Sequence, residues 1–190
     1  MSTLEGKRQP LPPWGCVPQI TNRWEWKHLP TEQQADEQIA RTDERADAYV
    51  DLTVRVRYAE TDQMGVAYYA NHLVWFELGR TELFRQRGYT YQELEEKEGC
   101  YIMVAEARCR YHAPARYDQL LTVRTRVKSA RSRLLCFSYE LLAEDGTRIA
   151  SGETLHVITG RDGKPRSLPE RYRAALLTPP TAGPAPTTTE

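Results

Sequence analysis

The chain has 190 residues and carries 26 basic and 26 acidic side chains, a formal net charge of zero. That length suits one domain of roughly 100–200 residues plus extra segments. The charge balance argues against a wholesale electrostatic nucleic-acid binder, and no stretch reaches the ~20 apolar residues of a membrane-crossing helix. The start lacks a basic-then-apolar leader and Glu5 arrives early, which predicts a soluble, cytoplasmic protein. Cys16, Cys100, Cys109 and Cys136 lie far apart without a C-x-x-C pair, so free, buried thiols are expected.

Composition divides the chain into three zones. Residues 1–48 form an extension rich in Pro, Gln, Glu and Arg that also holds Trp14, Trp24 and Trp26. Within it Thr31 and Gln34 have capping-box spacing, so residues 32–48 can run as a helix. Its apolar anchors are few (Ala35, Ile39 and Ala46), and such a helix needs something to lean on. The tryptophans are expected to dock on the domain or on a second subunit. Residues 49–177 carry regular periodicity and form the domain, while 178–190, rich in Pro and Thr, should be disordered.

In the domain, Val54, Val56 and Tyr58 alternate with Thr53, Arg55 and Arg57, as in a strand with one buried face. After a loop, the spacing from Tyr69 or Asn71 to Arg87 predicts a helix with Leu73, Phe76, Leu83 and Phe84 inward, stopped by Gly88. Thr90 and Glu93 open a second, short helix to about Lys97. Strands follow at Tyr101–Tyr111, at Leu121–Lys128, at Leu135–Leu141 and, after the turn Glu144-Asp145-Gly146-Thr147, up to Ile158. Leu168–Leu177 is a terminal helical piece. A helix of about 17 residues spans roughly 26 Å and five strands at about 4.8 Å spacing make roughly 24 Å of sheet. The helix can therefore cross the whole sheet, an α+β architecture with one sheet wrapped around one helix.

The loop Ala59-Glu60-Thr61-Asp62-Gln63-Met64-Gly65-Val66 is the richest in chemistry. Asp62 is a short acid between a strand and a helix start, and Gly65 lets the backbone turn tightly. The first helical turn offers unpaired N–H groups and positive potential, where an oxyanion could sit. A carboxylate beside such donors is the minimum equipment for acyl transfer, one donor alone being worth about 10²–10³ in rate. The same pattern also fits an aspartate that merely caps the helix or shapes a turn. No G-x-S-x-G elbow and no phosphate-binding glycine loop is present, and His28, His72, His112 and His156 lack ligand spacing. Neither metal nor cofactor is argued.

Asp62 through Asn71, with Phe76-Glu77 and Arg80 beyond, resembles the signature of hotdog-fold acyl-CoA thioesterases of the 4-hydroxybenzoyl-CoA thioesterase type. The resemblance covers about 52–177. It implies a five-stranded antiparallel sheet around one long helix, hydrolysis of an acyl-CoA to free acid and CoA, Asp62 as nucleophile or base, and the Tyr69 N–H polarising the thioester carbonyl. Many members carry His where this chain has Tyr69 and Tyr where it has His72, so only the backbone donor carries over directly. His72 then substitutes for the family histidine from one turn away or is a polar helix residue. Glu77 matches an acidic position of the family helix, as a substrate contact or as the ion-pair partner of Arg80. The basic run Lys128-Ser129-Ala130-Arg131-Ser132-Arg133 matches a turn that contacts CoA phosphates in related enzymes, which marks Lys128, Arg131, Ser132 and Arg133 as substrate-binding candidates. Arg124, Arg126 and Lys128 line that groove or lie on the outer sheet face. The family pairs subunits edge to edge as homodimers or homotetramers with the site at the joint, so 101–106 of one subunit would wall the other's pocket. A non-catalytic acyl-thioester binder or scaffold and a hotdog hydratase or dehydratase remain as alternatives.

Overall fold

The structure, a computed structural model, describes residues 30, 31, 33, 34 and 37 and the continuous span 49–178. The Thr31–Gln34 box is present, with the Gln34 N–H donating to Thr31 Oγ1 at 3.3 Å and the Thr31 N–H to Gln34 Oε1 at 2.9 Å. The rest of that expected helix, Cys16, the three tryptophans and the tail beyond Thr178 lie outside the described residues.

The elements run β1 (Val50–Arg55), a 3₁₀ turn (Tyr58–Glu60), α1 (Asn71–Gln86), α2 (Tyr91–Glu98), β2 (Tyr101–Tyr111), β3 (Leu120–Ala130), β4 (Leu134–Ala143), β5 (Arg148–Thr159) and α3 (Glu170–Leu177). The five strands form one antiparallel sheet in the order β1-β3-β4-β5-β2. The α1–α2 stretch between β1 and β2 lets β2 land at the far edge of the sheet, beside β5. Gly88 ends α1 as expected, with φ of 82°, and Thr90 with Glu93 starts α2 with a complete capping box; α2 stops at Gly99, whose φ is 59°.

Apolar residues of β3 and β4 (Leu121, Val123, Val127, Leu135, Phe137, Tyr139, Leu141) alternate onto one face and bury against α1. Their partners on α1 are Trp75, Phe76, Leu83 and Phe84. Phe76 stacks on Tyr139 at 4.4 Å, and Thr154 Oγ1 lies 2.7 Å from the Tyr139 hydroxyl and 2.8 Å from His156 Nε2. Two expected inward residues face water instead. Leu73 is exposed because Trp75 and His72 take the sheet-facing positions of the first turns. Tyr58 lies past the end of β1, in the 3₁₀ turn, and is 78% exposed; Val50, Leu52 and Val54 of β1 and Val56 just beyond it supply the buried side instead. Cys100 and Cys136 are buried free thiols and Cys109 is half-buried and free. Among the described residues no helix is long and apolar enough to cross a membrane.

Two glycines permit the close approach of helix and sheet. A Cβ at Gly79 would sit 2.3 Å from Thr125 Oγ1. One at Gly152 would sit 2.3 Å from the Phe76 ring and 2.5 Å from the Arg108 carbonyl oxygen. Gly152→Ala is therefore expected to cost about 1–3 kcal/mol by overpacking, read as a lower urea midpoint at unchanged slope. An unchanged midpoint would mean that the Phe76–Tyr139 stack moves aside freely.

Candidate active site

Glu60 organises the chain between β1 and α1. Its carboxylate is buried and accepts the Arg57 N–H at 2.8 Å, the Arg57 guanidinium at 2.8 Å and the Trp75 indole N–H at 3.4 Å. Its carbonyl accepts the Asn71 amide group at 2.7 Å and the Tyr68 N–H at 2.8 Å. One residue thus ties the strand end, the loop and the first turn of α1 together. Burial pushes the Glu60 pKa up, but the Arg57 and Trp75 hydrogen bonds outweigh it and leave the group below the usual carboxylate range.

Asp62 sits in the tight turn that Glu60 anchors. Its N–H donates to the Val66 carbonyl at 2.9 Å, its carbonyl accepts the Gly65 N–H at 2.9 Å, and its Oδ1 accepts the Met64 N–H at 2.8 Å. Gly65 has φ of 72°, the left-handed conformation the turn requires. Asp62 therefore shapes its own turn with one carboxylate oxygen; Oδ2 has no hydrogen bond among the described residues. It also lines a cleft of about 340 Å³ with Tyr69, His72, Tyr111 and His112, floored by Val66, Ala67, Pro114 and Ala115.

The tip of α1 borders the same cleft. The N–H groups of Asn71, His72 and Leu73 turn back to the carbonyls of Tyr68, Tyr69 and Ala70, at 2.9, 3.3 and 3.1 Å. Those of Tyr69 and Ala70 have no acceptor among the described residues, as expected for the start of a helix. The Tyr69 carbonyl also accepts from the Tyr111 hydroxyl at 3.2 Å and from His72 Nδ1 at 3.0 Å. A carbonyl only accepts, so Nδ1 carries the proton and Nε2 of the neutral ring is left as an acceptor. Burial lowers the His72 pKa, with the Tyr69 carbonyl opposing, so the ring is neutral at pH 7. Burial, helped by the neighbouring Cys109 thiol, pushes Tyr111 up to about 12, which keeps its hydroxyl a donor.

The other candidates fall elsewhere. Glu77 is exposed on α1, 3.6 Å from Arg80, and is not among the residues that line the Asp62 cleft, which favours the ion-pair reading. Lys128 is not part of a turn; it lies in β3 on the outer face, with Arg124 and Arg126, and is salt-bridged to Glu153. Arg131, Ser132 and Arg133 form the exposed β3–β4 turn, and the Ile158 N–H donates to the Arg133 carbonyl at 3.0 Å. Ile158 pairs with Ile102 in β2, nine residues from Tyr111, so turn and cleft stand roughly 30 Å apart in one subunit. Sequence reading missed Glu60, Tyr111 and His112. The i,i+3 pair Arg57–Glu60 was the available signal for the first, whereas the other two meet the loop only through the fold.

The family model described as the thioesterase-like superfamily matches residues 56–176. The chain belongs to that family. It is 33% identical over 118 residues to the acyl-CoA thioester hydrolase YbgC of Escherichia coli O6:H1, covering 62% of this chain and 87% of that protein. The solved DHNA-CoA thioesterase of Staphylococcus aureus is 30% identical with a TM-score of 0.62, over 65% of this chain and 83% of that one. A solved 4-hydroxybenzoyl CoA thioesterase superposes with a TM-score of 0.63 over 67% of this chain and 98% of its own, at 16% identity, and shows the shared hotdog fold. The match to this thioesterase-like chain spans the Asp62 loop, α1 and all the strands beyond them.

The Glu60 anchor yields a direct expectation. Glu60→Gln, which keeps the shape and removes the charge, should cost about 1–3 kcal/mol at pH 7. The folded pKa of Glu60 lies below its unfolded value, so its contribution is present above about pH 4.5 and is lost as pH falls through the folded value. Urea titrations of both proteins should therefore converge below pH 4.5; a gap constant down to pH 3 would contradict the anchor's electrostatics.

Proposed function

We propose that this protein hydrolyses acyl-CoA thioesters to the free acid and CoA, with Asp62 as nucleophile or general base. The observation that carries this reading is one cleft lined by Asp62 and by Tyr69 at the tip of α1, whose N–H has no acceptor among the described residues. In this reading the acyl carbon binds beside Asp62 and its carbonyl oxygen accepts the Tyr69 N–H. Charge developing on that oxygen is then stabilised by a donor already in position and by the positive end of the helix. Asp62 either attacks the carbon, giving a mixed anhydride and releasing thiolate, or takes a proton from the attacking water. Gly65 gives the loop its shape. His72 and the Tyr111 hydroxyl hold the Tyr69 carbonyl, which supports a positioning role for both. The His72 Nδ1 is committed to that carbonyl rather than to Asp62, so the His–acid pair of a hydratase lacks support.

The likeness to acyl-CoA thioester hydrolases supports CoA as the carrier. In this reading two subunits join along β2, the long strand at the sheet edge, where Val104 and Tyr111 are about half exposed. Antiparallel pairing about the middle of β2 sets Tyr101 of one subunit opposite Tyr111 of the other. The partner's β3–β4 turn, with Arg131, Ser132 and Arg133, then stands beside the cleft and offers its cations to the CoA phosphates.

Two tests follow. Asp62→Asn should lower kcat about 10²–10⁴-fold while the unfolding midpoint stays near that of the parent; near-parental turnover would overturn the assignment. Replacing Arg131 and Arg133 by Ala should raise KM for an acyl-CoA about 10-fold or more and leave an acyl-pantetheine ester, which lacks the nucleotide phosphates, unaffected. Equal effects on both esters would remove the turn from the phosphate site.

A further inference from the structure

The outer face of the sheet, opposite α1, carries a second and larger feature. A groove of about 650 Å³ is lined by Arg108, Arg110, Arg126 and Arg148 against Glu140 and Glu153. Glu140 pairs with Arg148 at 2.9 Å and Glu153 with Lys128, so both acids are already neutralised. Arg110 and Arg126 have no carboxylate within ion-pair distance among the described residues. The groove is thus electropositive in a chain of zero net charge.

The same face holds a small apolar cluster, Cys136 and Leu155, separate from the main core. Both are fully buried. The described helices do not account for this, because the buried residues of α1, α2 and α3 belong to the core on the opposite face. The charged side chains nearest Cys136 are Glu153, Lys128, Glu106 and Arg108, which are ion-paired on this face.

The chain itself enters at this groove. Tyr49, which leads into β1, lines it, and the guanidinium groups of Arg124 and Arg126 lie 5.6 and 5.4 Å from its ring centre. The segment immediately before it, residues 31–48, has six acids (Glu32, Asp36, Glu37, Asp43, Glu44, Asp47) against Arg41 and Arg45, a net charge of −4. Its start bears the Thr31–Gln34 capping box. As a helix, 18 residues would span roughly 27 Å, against roughly 24 Å for the five-stranded sheet.

We propose that the acidic segment 31–48 lies across the outer face of its own sheet and seats in this groove, opposite Arg110 and Arg126. Complementary charge sets its orientation, and Tyr49, which follows the segment directly, already lies in the groove. This gives the marginal N-terminal helix the surface it needs to form. It also closes this face to a second copy of the chain.

Hydrogen exchange on the full chain tests the proposal. Amides of residues 31–48 should exchange about tenfold or more slowly than free peptide in low salt. Raising salt from about 0.05 M to about 0.5 M should reduce that protection in the unaltered protein. Arg110→Glu with Arg126→Glu should abolish it, as should Asp36→Lys with Glu37→Lys, and combining all four should restore it. Unchanged exchange over Asn71–Gln86 reports that each variant is folded. Absence of protection in the unaltered chain, or protection indifferent to both salt and the groove charges, would overturn the proposal. So would a groove variant whose sedimenting mass changes while exchange over 31–48 does not, since the groove would then join copies of the chain.

Discussion

Everything at the candidate site rests on Glu60. A buried carboxylate is costly unless its lone pairs are filled, and here Arg57 and the Trp75 indole fill them while the carbonyl of the same residue takes Asn71 and Tyr68. The contacts reach from the end of β1 to the second turn of α1. They hold the Asp62 turn against the helix tip, so that Asp62 and Tyr69 line one cleft. Separated by a mobile loop, the same groups would be an ordinary turn and an ordinary helix start. In the proposed mechanism hydrolysis gains from their fixed relation, because a donor already in place needs no rearrangement when charge develops on the substrate.

Much of the fold was legible because the patterns are local. Alternation gave the strands, capping boxes gave the starts of α2 and of the N-terminal helical stretch, and Gly88 marked the end of α1. Periodicity failed at Leu73, where several apolar residues compete and only the volume of Trp75 and the demands of His72 decide which side faces in. It failed at Tyr58 because the repeat of a strand does not announce its last residue. The pairing of β2 with β5 follows from where a long connection lands, which no local signal encodes.

The site divides along the same line. Asp62, Gly65 and Tyr69 lie within eight residues of one another, so their proximity is readable from the sequence alone. Tyr111 and His112 are some fifty residues away and reach the cleft only because β2 ends beside α1. The basic turn is legible as a motif but lies at the other end of the sheet from the cleft of its own subunit. In the proposed dimer a two-fold partner brings the two together, and strand length sets that geometry. The acidic segment and the arginine groove are likewise each plain in sequence or structure alone, and acquire meaning together.

The central claim is that Asp62 and the Tyr69 amide hydrogen address the same acyl carbonyl. A crystal structure with a hydrolysis-resistant acyl-CoA, its thioester sulfur replaced by a methylene, measures this directly. The account predicts the carbonyl oxygen about 2.7–3.1 Å from the Tyr69 nitrogen, with an Asp62 oxygen, or a water it holds, facing the carbonyl carbon. A carbonyl bound away from the α1 tip, with Asp62 still closed on its own turn and no water between, would contradict it.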